Sequence, residues 1–314
     1  MNAVSIKGNY DLKTTIITLD TPKDFDFWRT VNSHGWCSLL PFSVDKEHRS
    51  LKRVLALTDS SLVLCQISDH KNLKLNIKVH SSVLLTSAHR NEVIRQIASC
   101  LRLTEGFSDF YRETRRYPEH RWIAKAKAGR MLRAPSVFED VVKMVCTTNC
   151  SWALTEIMVN NLVGKLGKTF DNLNKSFPSP EALAGTTDQF LRKDIKAGYR
   201  SPFLLEFAKK VASGKLDIEC LRASELTTEA LFKELRSIKG VGAYSAGNIL
   251  KLLGRYDYLG LDSWVRAKYY ELYHQGRIVS DRTIERRYMQ YGKWRGLFFW
   301  LEMTKHWYDH EFPF

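Results

Sequence analysis

Two short stretches carry residues whose types and spacing suit chemistry. In "KGVGAYSAG", residues 239 to 247, Lys239, Gly240, Val241 and Gly242 stand between two apolar runs of helical period. Glycine lets the backbone turn tightly, and a helix opening at about Ala243 presents unpaired N–H donors at the positive end of its dipole. With a lysine beside it, such a helix start suits a phosphate, held for position alone. The same glycines also suit an ordinary turn between helices, so the hairpin decides little by itself. Twenty residues past Gly242, in "LGLDSWVRAKYYELY", Asp262 directly precedes another helical run. Aspartate is among the best N-caps, worth about 1 kcal/mol. A carboxylate there can also stabilise positive charge developing on a sugar carbon and orient a water for attack. The two roles are compatible.

The whole chain sets the context for these stretches. At 314 residues it exceeds the usual reach of one core, which predicts two or three packed domains. Lysine and arginine number 48 against 34 acidic residues, a formal charge of +14, which points to a polyanionic partner. Nucleic acid comes first; a membrane surface comes second, because the basic residues are scattered and form no single amphipathic anchor. No apolar run reaches the length of a membrane span, and "MNAVSIKGNYDLKTTIITLD" has no signal-peptide stretch, so an intracellular, soluble chain is expected. The cysteines at 37, 65, 100, 146, 150 and 220 form no CxxC pair. That predicts reduced thiols, with Cys146 and Cys150 as buried apolar side chains, and no zinc or iron–sulfur site. With no visible oligomer signature, a monomer is expected.

The elements that must position the two stretches read as an α+β protein. Residues 51–58, 61–68 and 73–80 are β-branched, leucine-rich or alternating runs, an antiparallel meander, with helical periods before it in 21–35 and after it in 91–103. An antiparallel sheet backed by helices is predicted over 1–105. Residues 106–134 read as a basic connecting segment: 101–133 holds nine Lys/Arg against four acids, which suits either a solvated linker or a functional surface. From 135 to 314 helix signals dominate, in runs beginning at 136, 151, 179, 201, 228, 243, 262 and 291. The hairpin, at about 229–253, lies inside this helical region.

"LRSIKGVGAYSAGNILKLLGRYDYLGLD" (235–262) resembles the helix–hairpin–helix, Gly-rich loop and following aspartate of the helix–hairpin–helix DNA glycosylase superfamily. The likeness extends along the chain. "TPKDFDFWRTVNSHGW" with the sheet behind it is similar to the amino-terminal part of the inducible bacterial 3-methyladenine branch. "FEDVVKMVCTTNCSWALTEIMVNNLVGKLG" resembles the opening of the catalytic region in that branch and in the eukaryotic 8-oxoguanine branch, and "AGYRSPFLLEFAKKVASG" and "YGKWRGLFFWLEMTKHWY" resemble later helices of both. The resemblance implies roles residue by residue. Lys239, Gly240, Val241 and Gly242 would bind DNA phosphate, with the carbonyls of Lys239 and Val241 available to a sodium or potassium ion. Asp262 would be the catalytic carboxylate. Asn149 would fill the gap left by an extruded nucleotide, and Tyr199 and Arg200 would wedge the duplex and meet the opposite base; Asn149 as a loop hydrogen-bonder and Tyr199 as a surface aromatic are the alternatives. Tyr244, Trp294 and Trp264 would line the base pocket, against the alternative of plain core for the tryptophans.

The departures are informative as well. Bifunctional members carry a Schiff-base lysine two residues after the second hairpin glycine, where this chain has Tyr244, and the opposite-base arginine of the 8-oxoguanine branch is Leu154 here. The four-cysteine cluster of other branches is absent. The implied activity is base release from double-stranded DNA without strand cleavage, with no cofactor required. A purine already cationic through N-alkylation leaves without protonation and stacks on electron-rich aromatics, so it is favoured. An oxidised or mispaired base is the alternative, and a non-catalytic DNA-binding scaffold the second.

Overall fold

The computed structural model describes residues 12–310 and 312–313; residues 1–11, which entered the reading of the N-terminus, lie outside the described residues. Five strands, β1 (Lys13–Asp20), β2 (Phe42–Asp45), β3 (Ser50–Ala56), β4 (Leu62–His70) and β5 (Lys74–Ser81), form one antiparallel sheet in the order β1-β5-β4-β3-β2. The meander expected from sequence is β3 to β5. The sheet gains β1, which pairs with β5 along its length from Lys13↔Ser81 to Asp20↔Lys74, and the four-residue edge strand β2. Helices α1 (Phe27–Val31) and α2 (Ser87–Cys100) flank the sheet strands in sequence, capped by Asp26 and Thr86.

The remainder is helical: α3 (Ser108–Thr114), α4 (Arg121–Lys125), α5 (Val137–Cys146), α6 (Trp152–Leu166), α7 (Pro180–Ala184), α8 (Asp188–Lys193), α9 (Ser201–Ala212), α10 (Thr228–Ser237), α11 (Ala243–Leu252), α12 (Ser263–His274), α13 (Asp281–Tyr288), α14 (Arg295–Met303) and α15 (Lys305–Asp309). The run expected from 179 breaks after α7, because Thr187 caps a new helix by accepting from the Phe190 N–H. Helix α13 gives no clear apolar period in sequence, because "DRTIERRY" is mostly charged and buries only Ile284 and Tyr288, one turn apart. Every residue of α5 is buried, which makes it the central helix. Among the described residues no helix is long and apolar enough to cross a membrane.

The cores divide the chain differently from its sequence texture. One core joins the inner sheet face (Ile17, Val63, Ile77) to α2, α5, α6 and α9 to α11 through Ile97, Val141, Leu162, Leu204 and Leu250. The other joins 107–131 to α12 to α14 through Phe110, Ile123, Tyr269, Tyr288 and Phe298. Of residues 106–134, expected as a basic connecting segment, 107–131 pack into the second core and Leu132 into the first: Phe107, Phe110 and Tyr111 are spaced to pack on one side of α3, and Arg130 and Arg133 are themselves buried. Arg102, at the end of α2, donates to the carbonyls of Met131, Lys251 and Leu252 at 2.8, 2.6 and 2.6 Å and to Glu105 at 2.6 Å. Arg133 adds a bond to Leu252 O at 3.0 Å and a pair with Glu105 at 2.9 Å. The last carbonyls of α11, which have no intrahelical partner, thus meet two guanidinium groups.

A second buried ion cluster ties the sheet to α5. Arg53, on the inner face of β3, makes a two-pronged pair with Glu139 at 3.1 and 2.5 Å, and Lys143 reaches the same carboxylate at 2.8 Å. All three are nearly inaccessible. Removing one partner of a buried cluster strands the others without solvation. Glu139→Ala is expected to lose about 3–5 kcal/mol in urea denaturation, and the apolar triple change Arg53→Met, Glu139→Leu, Lys143→Met to recover most of that loss.

Candidate functional site

The hairpin between α10 and α11 is fixed by backbone geometry. Helix α10 ends at Ile238, whose carbonyl accepts from the Val241 N–H at 3.0 Å. Gly240 has φ +86°, and a Cβ there would lie 2.9 Å from Phe203 Cβ, so both conformation and space demand glycine. Gly242 is the N-cap of α11 and supplies no side chain, which leaves the first-turn N–H groups without a side-chain acceptor. Lys239 is largely exposed, and its ammonium pairs with Glu206 on α9 at 2.9 Å. The carbonyls of Lys239 and Val241 accept no backbone hydrogen bond among the described residues. These four residues line a cleft of about 1840 Å³.

Asp262 lies in the same cleft. It caps α12 by accepting the Val265 N–H on Oδ1 at 2.8 Å, which leaves Oδ2 outside that bond. The loop that delivers it is clamped from α11: the fully buried Lys251 donates to the Leu259 carbonyl and, at 3.1 Å, to Asn248 Oδ1, while Asn248 Nδ2 donates to Tyr244 O at 3.0 Å. Gly260, at φ +68°, leaves room for this clamp, since a Cβ there would stand 2.8 Å from Lys251 Nζ. Burial lowers the Lys251 amine to about 7, against an opposing pull from the Asp262 carboxylate. Tyr244, half-buried beside them, has its phenol raised above the ordinary range, first by burial and then by the charge of Asp262.

At the cleft rim, Asn149 adopts φ +46° and donates from Nδ2 to the Tyr199 hydroxyl at 3.2 Å. Tyr199 is exposed. Arg200 is a correction to the sequence reading: it is 3% exposed, lies 4.5 Å over the Tyr199 ring, and donates to Thr148 O and, at 3.2 Å, to Thr148 Oγ1. So placed it cannot meet a base, and it braces the loop that carries Asn149. Trp264 does line the cleft, with ring centroids 6.2 Å from Trp300 and 5.7 Å from Trp307, which line it too. Trp294 does not. It stacks on Tyr256 at 5.5 Å and packs on Phe110 at 5.0 Å in the second core, because it precedes α14 on the side facing α3.

Several wall residues had no motif to mark them. His34, Trp36, Trp152 and Glu156 line the cleft together with Trp300 and Trp307. Burial and the nearby Arg102, Lys143 and Lys251 lower His34 to about 3, so its imidazole is neutral. Cys146 is buried in the first core, whereas Cys150 is half-buried on the cleft wall and donates to Cys146 O at 3.2 Å. The arrangement brings together a hairpin of open N–H donors, a carboxylate at a helix start, an exposed polar wedge and tryptophan walls.

No family model and no curated protein matches the sequence. Several solved structures match over most of its length. A 3-methyladenine DNA glycosylase from Archaeoglobus fulgidus superimposes with a TM-score of 0.75 at 20% identity, over 93% of this chain and 99% of that one. The apo-form of Clostridium acetobutylicum 8-oxoguanine glycosylase/lyase gives 0.71 at 17% identity, over 93% and 98%. MBOgg1 in complex with a low-affinity DNA ligand gives 0.69 at 20% identity, over 94% and 99%. The fold, an antiparallel sheet followed by helices, is the fold of these structures.

The Lys251 clamp carries a pH signature. An amine at 10.5 when unfolded and about 7 when folded penalises the native state in full below pH 7, and the penalty fades as pH rises towards 10.5. Lys251→Met is therefore expected to gain on wild type at pH 6 relative to pH 9.5, in urea titrations of both proteins. A stability difference independent of pH would remove Lys251 as the titrating group.

Proposed function

We propose that the protein is a monofunctional DNA glycosylase of base excision repair, which hydrolyses the N-glycosidic bond of an extruded, damaged purine and leaves an abasic site. The observation that carries the reading is Asp262: a helix-capping carboxylate with one oxygen outside the cap bond, open to an aromatic-walled cleft beside the hairpin. The fold likeness to glycosylase structures supports it. Double-stranded DNA is the partner, a monomer the working form, and the compartment one that holds DNA.

The first-turn N–H groups of α11 take a DNA phosphate, and Lys239 turns to it from Glu206, an exchange of one anion for another. The free carbonyls of Lys239 and Val241 fit a hard monovalent cation, which would add positive charge beside that phosphate; no step of the reaction runs through it. Asn149 and Tyr199 occupy the space of the extruded nucleotide, at a cost of a few kcal/mol of lost stacking that is smallest for a damaged base. Asp262 then stabilises the sugar as positive charge develops at C1′ and orients the attacking water. Its anchored cap bond means that the carboxylate needs no reorganisation during the step.

An N-alkylated purine such as 3-methyladenine is the favoured substrate. Its glycosidic bond is already weakened by positive charge, so one carboxylate suffices, and Trp264 and Trp300 offer faces that attract a cationic ring. An oxidised guanine or a mispaired base is the second reading, favoured by the Asn149–Tyr199 pair at the rim.

Methylated duplex DNA tests the proposal. Wild type is expected to release methylpurines, with strand breaks only after alkali. Asp262→Asn is expected to cut the release rate by about a hundredfold or more while binding abasic-site DNA as wild type does. Undiminished release by this variant would remove Asp262 from the mechanism, and breaks without alkali would make the enzyme bifunctional. Tyr199→Ala is expected to weaken damaged-duplex binding and leave thermal stability unchanged, by fluorescence anisotropy and melting.

A further inference from the structure

We infer that Glu156 is the base-selecting residue of the cleft and that it favours bases combining N–H donors with positive charge. The inference rests on the glycosylase reading and adds how that site chooses its substrate.

Glu156 lies on α6 in the wall of the same cleft as Asp262. Its Oε1 accepts from Ser38 Oγ at 3.0 Å and from Trp152 Nε1 at 3.0 Å, so the carboxylate is held between the turn Gly35–Ser38 and the first turns of α6. Both bonds end on one oxygen. Among the described residues Oε2 receives no hydrogen bond, and no Lys, Arg or His lies within 4 Å of the carboxylate to neutralise it. Two other carboxylates near the cleft are neutralised instead. Asp281 takes a two-pronged pair from Arg266 at 2.7 and 2.8 Å, and Glu206 pairs with both Lys210 and Lys239 at 2.9 Å.

A tie between Ser38 and Trp152 does not require charge, because the carbonyl of glutamine would accept both bonds. The charge has a cost in a cleft that approaches a polyanion, since an unneutralised carboxylate repels phosphates. A ligand that supplies N–H donors and positive charge reverses that balance, because a charge-assisted hydrogen bond is roughly twice as strong as a neutral one. An N-alkylated purine carries both on one ring. A neutral purine offers donors alone and gains less.

Glu156→Gln separates charge from tie. The experiment measures single-turnover release of a cationic base, 7-methylguanine, and of a neutral one, hypoxanthine, from otherwise identical duplexes, together with binding to abasic-site DNA and a thermal melt. The expected result is a fall of about tenfold to a hundredfold for 7-methylguanine, a much smaller fall for hypoxanthine, and unchanged abasic-site binding and melting. Equal rates for variant and wild type on 7-methylguanine would overturn the inference. So would an equal fall on both bases, which would make Glu156 a tie only, or a wild type that releases hypoxanthine but not 7-methylguanine. A wild type that releases no base from any duplex fails the glycosylase reading itself.

Discussion

Helix α11 is anchored from behind, and the rest of the cleft inherits its position. The carbonyls that end the helix are bonded to Arg102 and Arg133, whose charge is balanced by Glu105 between them. Two buried guanidinium groups lose much hydration, and they persist because nearly every donor meets a carbonyl or carboxylate. With the C-terminal end fixed, the N-terminal end of α11 can only point where the hairpin turns, so its free N–H groups face outward as a set. The same helix carries Asn248 and Lys251, which hold the loop leading to Asp262. Arg102 comes from the end of α2 and Arg133 from the stretch before α5. The sheet-bearing part of the chain therefore sets the angle of the hairpin without entering the cleft through its strands.

This use of arginine changes the meaning of the net charge. Arg53, Arg102, Arg130, Arg133, Arg200, Lys143 and Lys251 are buried, against only Glu139 and Asp140 among the acids. Five units of the +14 excess thus face the interior among the described residues, where they cap carbonyls, pair with carboxylates and brace loops. The surface remains basic enough to attract a polyanion at long range. Near the cleft the pattern inverts. Among the described residues, Asp262 and Glu156 present carboxylates there without a cation within ion-pair distance. Attraction at a distance and negative charge at the centre are compatible when the reacting group is a cation or becomes one.

What could be read from the sequence was what is encoded locally. Gly240 marks a hairpin because only glycine tolerates the turn beside Phe203, Asp262 marks a helix start through its own cap bond, and β3 to β5 alternate visibly. What escaped depends on which elements meet. Trp294 and Trp300 lie in one apolar run, yet one stacks on Tyr256 and the other lines the cleft, a difference set by the packing of α14 on α3 and α12. Arg200 resembles a surface contact in sequence and is buried because Thr148, on another loop, supplies its acceptors. Glu156 sits in a helix with no motif around it, and its partner Ser38 is more than a hundred residues away.

The amines near Asp262 bear on whether the proposed enzyme stops at base release. Strand cleavage through a Schiff base needs an unprotonated amine that can reach the sugar carbon. At the hairpin position suited to such an amine the side chain is Tyr244, whose phenol burial and the Asp262 charge keep protonated, so it can donate a hydrogen bond but not act as a nucleophile. Lys251 is an amine that burial brings to about 7, but it is committed to the Leu259 carbonyl and Asn248, and freeing it would release the loop that places Asp262. Lys239 lies on the rim, paired with Glu206 and directed at a phosphate in the proposed complex. For the proposed enzyme, water is then the nucleophile that fits best: one lysine holds the scaffold, the other is assigned to the phosphate in the proposed complex, and the position between them is a tyrosine.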